Sequence, residues 1–271
     1  MKLGYCDWLL CGIRGPEKIR FLAEEGFKSI SFLQCVMDMD PVEAGETAAA
    51  IKEHHFNVCY HGNVPVAADG PDLAATEKMF ANVMWWHEHT DGVRSCCSDR
   101  LPTLEATRKL LQLEHDFFED KKIGYGIENC FPKDNKYSNS RLEHFQAFAA
   151  MYPEARYQGM IFDAGHANIA LNLDYHNQLG MYDYVTRIPY NIYELHLTDN
   201  HGENDEHFIP GAGTVDFHAL KTALDARNFD GALTFEVCVD IQHGKYGFDL
   251  SKEENRDYIR RIRDEFLARF K

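Results

Sequence analysis

The chain is poor in positive charge. Among its 271 residues, 28 lysines and arginines face 43 aspartates and glutamates, a formal net charge of −15. A protein that grips nucleic acid by its phosphates needs a basic surface, so this balance weighs against nucleic acid as a partner. It fits a small, neutral substrate better. No apolar run is long enough to span a bilayer, so no membrane is expected as a partner. The start, Met1-Lys2-Leu3-Gly4-Tyr5, lacks the shape of a secretory leader. The eight cysteines (6, 11, 35, 59, 96, 97, 130 and 238) form no CxxC pair and mostly sit in apolar, strand-like runs. That usage argues against a disulfide framework and for packed thiols in a reducing compartment, hence a cytoplasmic protein. No Pro/Ser-rich linker or low-complexity tract interrupts residues 1–271, so a single domain is expected.

What is present is an alternation of short apolar runs with helical patterns. Strands are expected at 2–7, 28–33, 57–61, 93–97, 123–128, 158–163, 192–198 and 232–238. Helices are expected near 15–25, 41–55, 71–90, 102–120, 139–151, 177–187, 216–227 and 251–270. Phe217, Leu220 and Leu224 share a helical stripe that opens at Asp216 as N-cap. Ser251 and Glu254 have the spacing of a capping box ahead of Ile259, Ile262 and Phe266. Gly26, Gly92, Gly124 and Gly231 stand where helices turn into strands, which suggests left-handed turn residues. Eight strand–helix units in strict alternation call for a parallel sheet, and eight is the number that closes an α/β barrel, a single (β/α)8 TIM barrel. An open doubly wound sheet is the alternative, but no glycine-rich phosphate loop follows the first strand.

Four chemically distinctive residues recur at the ends of apolar runs. They are Glu128 in Ile127-Glu128-Asn129-Cys130, Asp163 in Ile161-Phe162-Asp163, His196 in Leu195-His196-Leu197 and Glu236 in Thr234-Phe235-Glu236. A charge sunk at the end of a buried strand costs several kcal/mol unless it is paired or holds a cation. One such glutamate is more often a salt-bridged structural acid; four in order favour one shared purpose. Three carboxylates and an imidazole suit one divalent ion: Mn²⁺, Mg²⁺, Co²⁺ or Zn²⁺. In a barrel these residues close strands five to eight, where catalytic groups gather.

The motifs Ile127-Glu128-Asn129, Phe162-Asp163-Ala164-Gly165-His166, His196-Leu197-Thr198-Asp199, Pro210-Gly211-Ala212-Gly213 and Phe235-Glu236-Val237 give the chain a family likeness. It resembles the xylose-isomerase-like TIM barrels, the superfamily of sugar isomerases and epimerases, hydroxypyruvate isomerases, inosose dehydratases and apurinic-site endonucleases. The resemblance implies a divalent cation on Glu128, Asp163, His196 and Glu236, with Glu128 and Glu236 also acting as acid/base residues on opposite faces of the substrate. It implies that His166 contacts substrate oxygens, and it matches His61 and the Asp205/His207 pair to metal ligands of the endonucleases. Two departures stand out. The endonucleases place a histidine at the end of strand four, where this chain has Ser95-Cys96-Cys97-Ser98; the epimerases carry an arginine where His207 stands.

The expected activity is therefore that of a divalent-metal-dependent isomerase or epimerase of a small sugar or keto-acid. It transfers a proton through a metal-stabilised enediolate, with Glu128 and Glu236 as the acid/base pair. His166, His61 and His207 are expected in the substrate pocket, and Trp8 offers an apolar wall to a sugar's C–H face. The alternative is a phosphoesterase or apurinic-site endonuclease-like hydrolase with a multinuclear zinc site. Barrels of this kind often pair through outer helices, so a homodimer is the expected assembly.

Overall fold

The computed structural model describes residues 2–33, 39–67, 70–99, 101–131, 140–238 and 246–270. Eight parallel strands form a closed barrel: β1 (Lys2–Cys6), β2 (Ser29–Phe32), β3 (Asn57–Gly62), β4 (Val93–Ser98), β5 (Gly124–Glu128), β6 (Gln158–Asp163), β7 (Asn191–Leu197) and β8 (Ala232–Phe235). Each strand pairs with its sequence neighbours, and β8 returns to β1 through Lys2↔Ala232 to Tyr5↔Phe235. This is a single (β/α)8 TIM barrel, as the alternation of apolar runs predicts. The outer helices are α1 (Gly15–Glu24), α2 (Pro41–His54), α3 (Leu73–His89), α4 (Leu104–Phe118), α5 (Leu142–Ala149), α6 (Ala164–Leu173), α7 (Met181–Thr186), α8 (Phe217–Ala226) and α9 (Glu253–Arg269).

Helix ends follow their capping chemistry with one exception. Asp216 accepts from the Ala219 N–H at 2.8 Å and opens α8 as expected. The Ser251/Glu254 capping box does not form: Ser251 donates to Asp249 instead, and α9 starts after Lys252. The stripe behind it holds, with Ile259, Ile262 and Phe266 all buried. A helix with no counterpart in the sequence reading, α6, starts at Asp163, whose carboxylate accepts from the His166 N–H at 2.6 Å.

The glycines divide into two kinds. Gly26 and Gly92 take positive φ at helix-to-strand turns. Gly124 does not; it is needed for clearance. A Cβ there would lie 2.5 Å from the Tyr193 ring, and one at Gly159 would lie 2.3 Å from it. Gly231 is likewise a close-approach residue, with Tyr193 O 2.5 Å from where a Cβ would stand.

Tyr193 also marks an irregularity that sets the register of β7. Ile192 pairs with Met160, but the next pair is Glu194 with Ile161, so Tyr193 is an extra residue. Tyr193 clusters with Cys97 and Ile161, while Glu194 reaches Ser31 and Thr234 across the barrel. Consecutive residues thus both turn inward. Two residues on, His196 faces the same interior, level with Asp163.

Candidate active site

Each strand delivers its side chain at the C-terminal mouth. Glu128 and Asp163 are the last residues of β5 and β6, His196 is next to last in β7, and Glu236 follows β8 directly. All four are buried, with Asp163 and His196 fully so. One ligand atom from each lies within 4.8 Å of the other three. His196 Nδ1 is 3.0 Å from Glu128 Oε1 and 2.9 Å from Glu236 Oε2. Neither ring nitrogen of His196 makes a hydrogen bond, so these short approaches are convergence on a point rather than ordinary pairing. Donor atoms held about 2.1 Å from a common ion stand roughly 3–4 Å apart, and this set of oxygens and one imidazole has that spacing. The residues fit a divalent cation.

The charges here are strained without one. Burial pushes the Asp163 carboxyl up to about 6, helped by the Glu128 and Glu236 charges and opposed by His166. Burial acts the same way on Glu128, but His61 and His196 outweigh it and hold that carboxyl well below its usual range. Burial would lower the His196 imidazole, yet Glu236 and Glu128 hold it well above its usual range. Protonated histidine is thus the protein's own counter-charge to the buried acids.

The remaining pocket residues are held by a frame of hydrogen bonds. Asn129 clamps β5 to β6: its Oδ1 accepts from Asp163 N–H at 2.7 Å and its Nδ2 donates to Asp163 O at 2.9 Å. His166 Nδ1 donates to Asn129 O at 2.9 Å, and His207 Nδ1 donates to Glu236 O at 2.8 Å. Their Nε2 atoms meet one carboxylate oxygen, Asp205 Oδ2, at 3.4 and 3.1 Å. Both rings therefore carry two protons. Burial opposes this for His207, but Asp205 overrides it and pushes the imidazole up to about 10. His61 Nε2 lies 3.4 Å from Glu128 Oε2 and 3.3 Å from Asp99 Oδ1.

Asp99 was not among the expected residues. It follows β4 by one position, so a carboxylate stands against His61 where the family likeness led us to look for a histidine on the strand itself. No local pattern could flag it, because it sits outside any apolar run. Thr198, which donates to both oxygens of Asp163 at 3.2 and 3.3 Å, was missed for the same reason. Trp8 sits in a short turn, Asp7–Leu9, after β1. Its ring is 6.3 Å from Tyr246 and it lines a depression with Leu10 and Met39 rather than the four converging side chains. Cys6, by contrast, does reach the cluster, its sulfur near His196 and Glu236. Burial and the neighbouring Glu236 keep it a neutral thiol. Cys96 and Cys97 are buried and likewise held as thiols by burial. No disulfide joins the described cysteines; Cys35 lies outside the described residues.

The Asp199 carboxylate organises the loop that carries Asp205 and His207. It accepts N–H groups from Gly211 (2.7 Å), Gly213 (2.9 Å), Asn200 (2.9 Å) and Val215 (3.0 Å). A Cβ at Gly213 would lie 2.3 Å from Asn200 O, which explains glycine in that motif.

A profile of the Xylose isomerase-like TIM barrel family matches residues 100–263, from just before α4 into α9. The chain belongs to that family. Among solved structures, this family barrel superposes on the D-psicose 3-epimerase of Clostridium cellulolyticum H10 with D-tagatose at a TM-score of 0.73, 13% identity and full coverage of both chains. It superposes on an L-ribulose 3-epimerase at 0.69 and 17% identity, over 100% of this chain and 95% of that one. At these identities the likeness is one of fold. An uncharacterized protein of Methanocaldococcus jannaschii is 27% identical over 128 residues, 44% of this chain; the match spans 38% of that protein's length. No described helix is long and apolar enough to cross a membrane.

Proposed function

We propose that the chain is a divalent-metal-dependent epimerase or isomerase of a small ketose or keto-acid, working as one domain over residues 1–271. The observation that carries this reading is the convergence of Glu128 and Glu236, from β5 and β8, on His196 Nδ1 at 3.0 and 2.9 Å. Two buried carboxylates that approach one point from different strands can serve opposite faces of a substrate carbon. The epimerase titles of the neighbouring folds point to ketoses as the first compounds to try.

Glu128, Asp163, His196 and Glu236 would hold the cation, which supplies Lewis-acid polarisation of substrate oxygens when bound. One glutamate takes the proton from the carbon beside the carbonyl; the C–H electrons pass to the carbonyl oxygen, giving an enediolate. The other glutamate, protonated, returns a proton from the opposite face. Both glutamates sit below their usual pKa range, Glu236 because His196 and His207 outweigh its burial, so each acts as a base by position rather than by basicity. His166 and His207, doubly protonated on Asp205, offer N–H donors to substrate oxygens, and His61 borders the same space.

The test is proton exchange in D₂O followed by NMR across a panel of ketoses, with metal content measured on the same protein. Deuterium should appear beside the carbonyl together with the epimer. Glu128→Gln and Glu236→Gln should each slow exchange by about 10²–10⁴-fold. A protein that holds its ion yet exchanges no ketose or keto-acid proton sinks this reading.

A second reading, a hydrolase with a multinuclear site, is favoured by the two flanking sets, His61 with Asp99 and Asp205 with His166 and His207. Two or three ions per chain, with cleavage of abasic DNA or phosphoesters, would put it first. One ion per chain favours the epimerase.

A further inference from the structure

The opposite end of the barrel has its own built cavity. It encloses about 500 Å³, and every residue lining it comes from a strand start or the turn just before one. Arg94 is the second residue of β4, Lys122 precedes β5, Arg156 precedes β6, and Arg227 and Asp230 precede β8. The carboxylate cluster lies at the other ends of these strands, a strand length of roughly 15–20 Å away. The two sites are separate.

Four cationic side chains line this cavity against one carboxylate, in a chain whose net charge is −15. Asp230 is spent on Arg94, whose Nη2 it accepts at 2.6 Å; the Arg94 Nε remains buried without a hydrogen bond. Glu119, the nearest other acid, uses its two oxygens on the backbone N–H groups of Arg156 and Tyr157 at 2.8 and 3.3 Å. No carboxylate of a described residue pairs with Lys122 or Arg156. Arg227 is fixed as a positive wall by donating to the carbonyls of Ile188 (2.8 Å) and Tyr190 (2.6 Å). Lys122 holds its place at φ 61, a left-handed position where glycine costs less, so a lysine there is retained against backbone preference.

Aromatic surface completes the cavity. The Tyr193 ring is seated over Gly124 and Gly159, and Phe229 and Tyr157 stand beside it. Cations beside ring faces suit a ligand that joins phosphate to a flat ring, and the volume is that of a small-molecule site. We propose that the N-terminal mouth of the barrel binds a phosphate-bearing ligand of the nucleotide class. Arg94, Lys122 and Arg156 meet the phosphates and the Tyr193/Phe229 surface meets the ring. The proposal is independent of what the C-terminal site does.

Calorimetric titration of the whole protein with inorganic pyrophosphate, ADP and adenosine, at physiological salt, tests it. ADP should bind once per chain and more tightly than pyrophosphate, and adenosine should bind far more weakly than either. Lys122→Gln/Arg156→Gln should weaken ADP about tenfold or more, each lost charge-assisted contact being worth about 1.5–3 kcal/mol. Lys122→Gln alone serves if the double variant misfolds. Glu236→Gln, at the far end, should leave ADP affinity unchanged. No saturable binding of either phosphate compound overturns the proposal, as does equal affinity in the lysine variant or loss of binding in Glu236→Gln. Equal affinity for pyrophosphate and ADP overturns the nucleotide class. Uptake of an acidic peptide in place of both compounds overturns it as well.

Discussion

Asp199 shows how one fully buried carboxylate can decide the shape of a substrate loop. It gathers four backbone N–H groups that would otherwise be left without partners in a protein interior. Asp205 and His207 sit on that loop, so their meeting with His166 depends on a residue that touches none of them directly. Asp199→Ala should cost about 3 kcal/mol in urea unfolding, since hydrogen bonds to charged groups are the strong ones. It should also open residues 200–215 to limited proteolysis. Unchanged stability and an uncut loop would show that the glycine turn holds itself.

At the scale of elements, α4 carries a buried acid that the site does not use. Glu114 is fully buried against β4 and β5, accepting from Ser98 Oγ at 2.6 Å and from the Gly126 backbone, with Oε2 unpartnered. Burial raises its pKa well above the ordinary 4.5, outweighing those two hydrogen bonds. Its folded pKa therefore exceeds its unfolded one. The stability it contributes is whole below about pH 4.5 and drains away as pH rises through the folded value. Glu114→Gln, which mimics the protonated form, should remove this alkaline loss. The variant's melting temperature should gain on the parent's as pH rises, and a constant difference from pH 5 to 9 would contradict the assignment. Close packing explains why the acid is confined: Gly126, at φ 150, leaves no room for a Cβ, which would lie 1.9 Å from Gly159 O.

The molecule as a whole concentrates negative charge at one end of its barrel and positive charge at the other. Three buried carboxylates with one histidine form a centre that is poorly balanced alone, so a cation should couple to global stability. Divalent metal at about 100 times its dissociation constant should add about 2.7 kcal/mol, raising the melting temperature by roughly 5 °C or more. Glu236→Gln should lose most of that gain. No shift with any of Mn²⁺, Mg²⁺, Co²⁺ or Zn²⁺ would remove the metal from the proposed function.

The sequence by itself determined the barrel and the strand ends that carry Glu128, Asp163, His196 and Glu236. Those features are periodic or local: apolar runs of strand length, helical stripes such as Ile259, Ile262 and Phe266, and ionisable residues that interrupt buried runs. Only the tertiary structure decided how those residues meet. The extra residue at Tyr193 resets the inward face of β7, and nothing in the local pattern announces it, because its cause is a ring fitted over Gly124 and Gly159 from two other strands. Asp99 against His61, Thr198 on Asp163 and the ring of cations below the barrel are equally non-local. Each is a contact between side chains far apart in the chain, and such contacts exist only once the barrel closes.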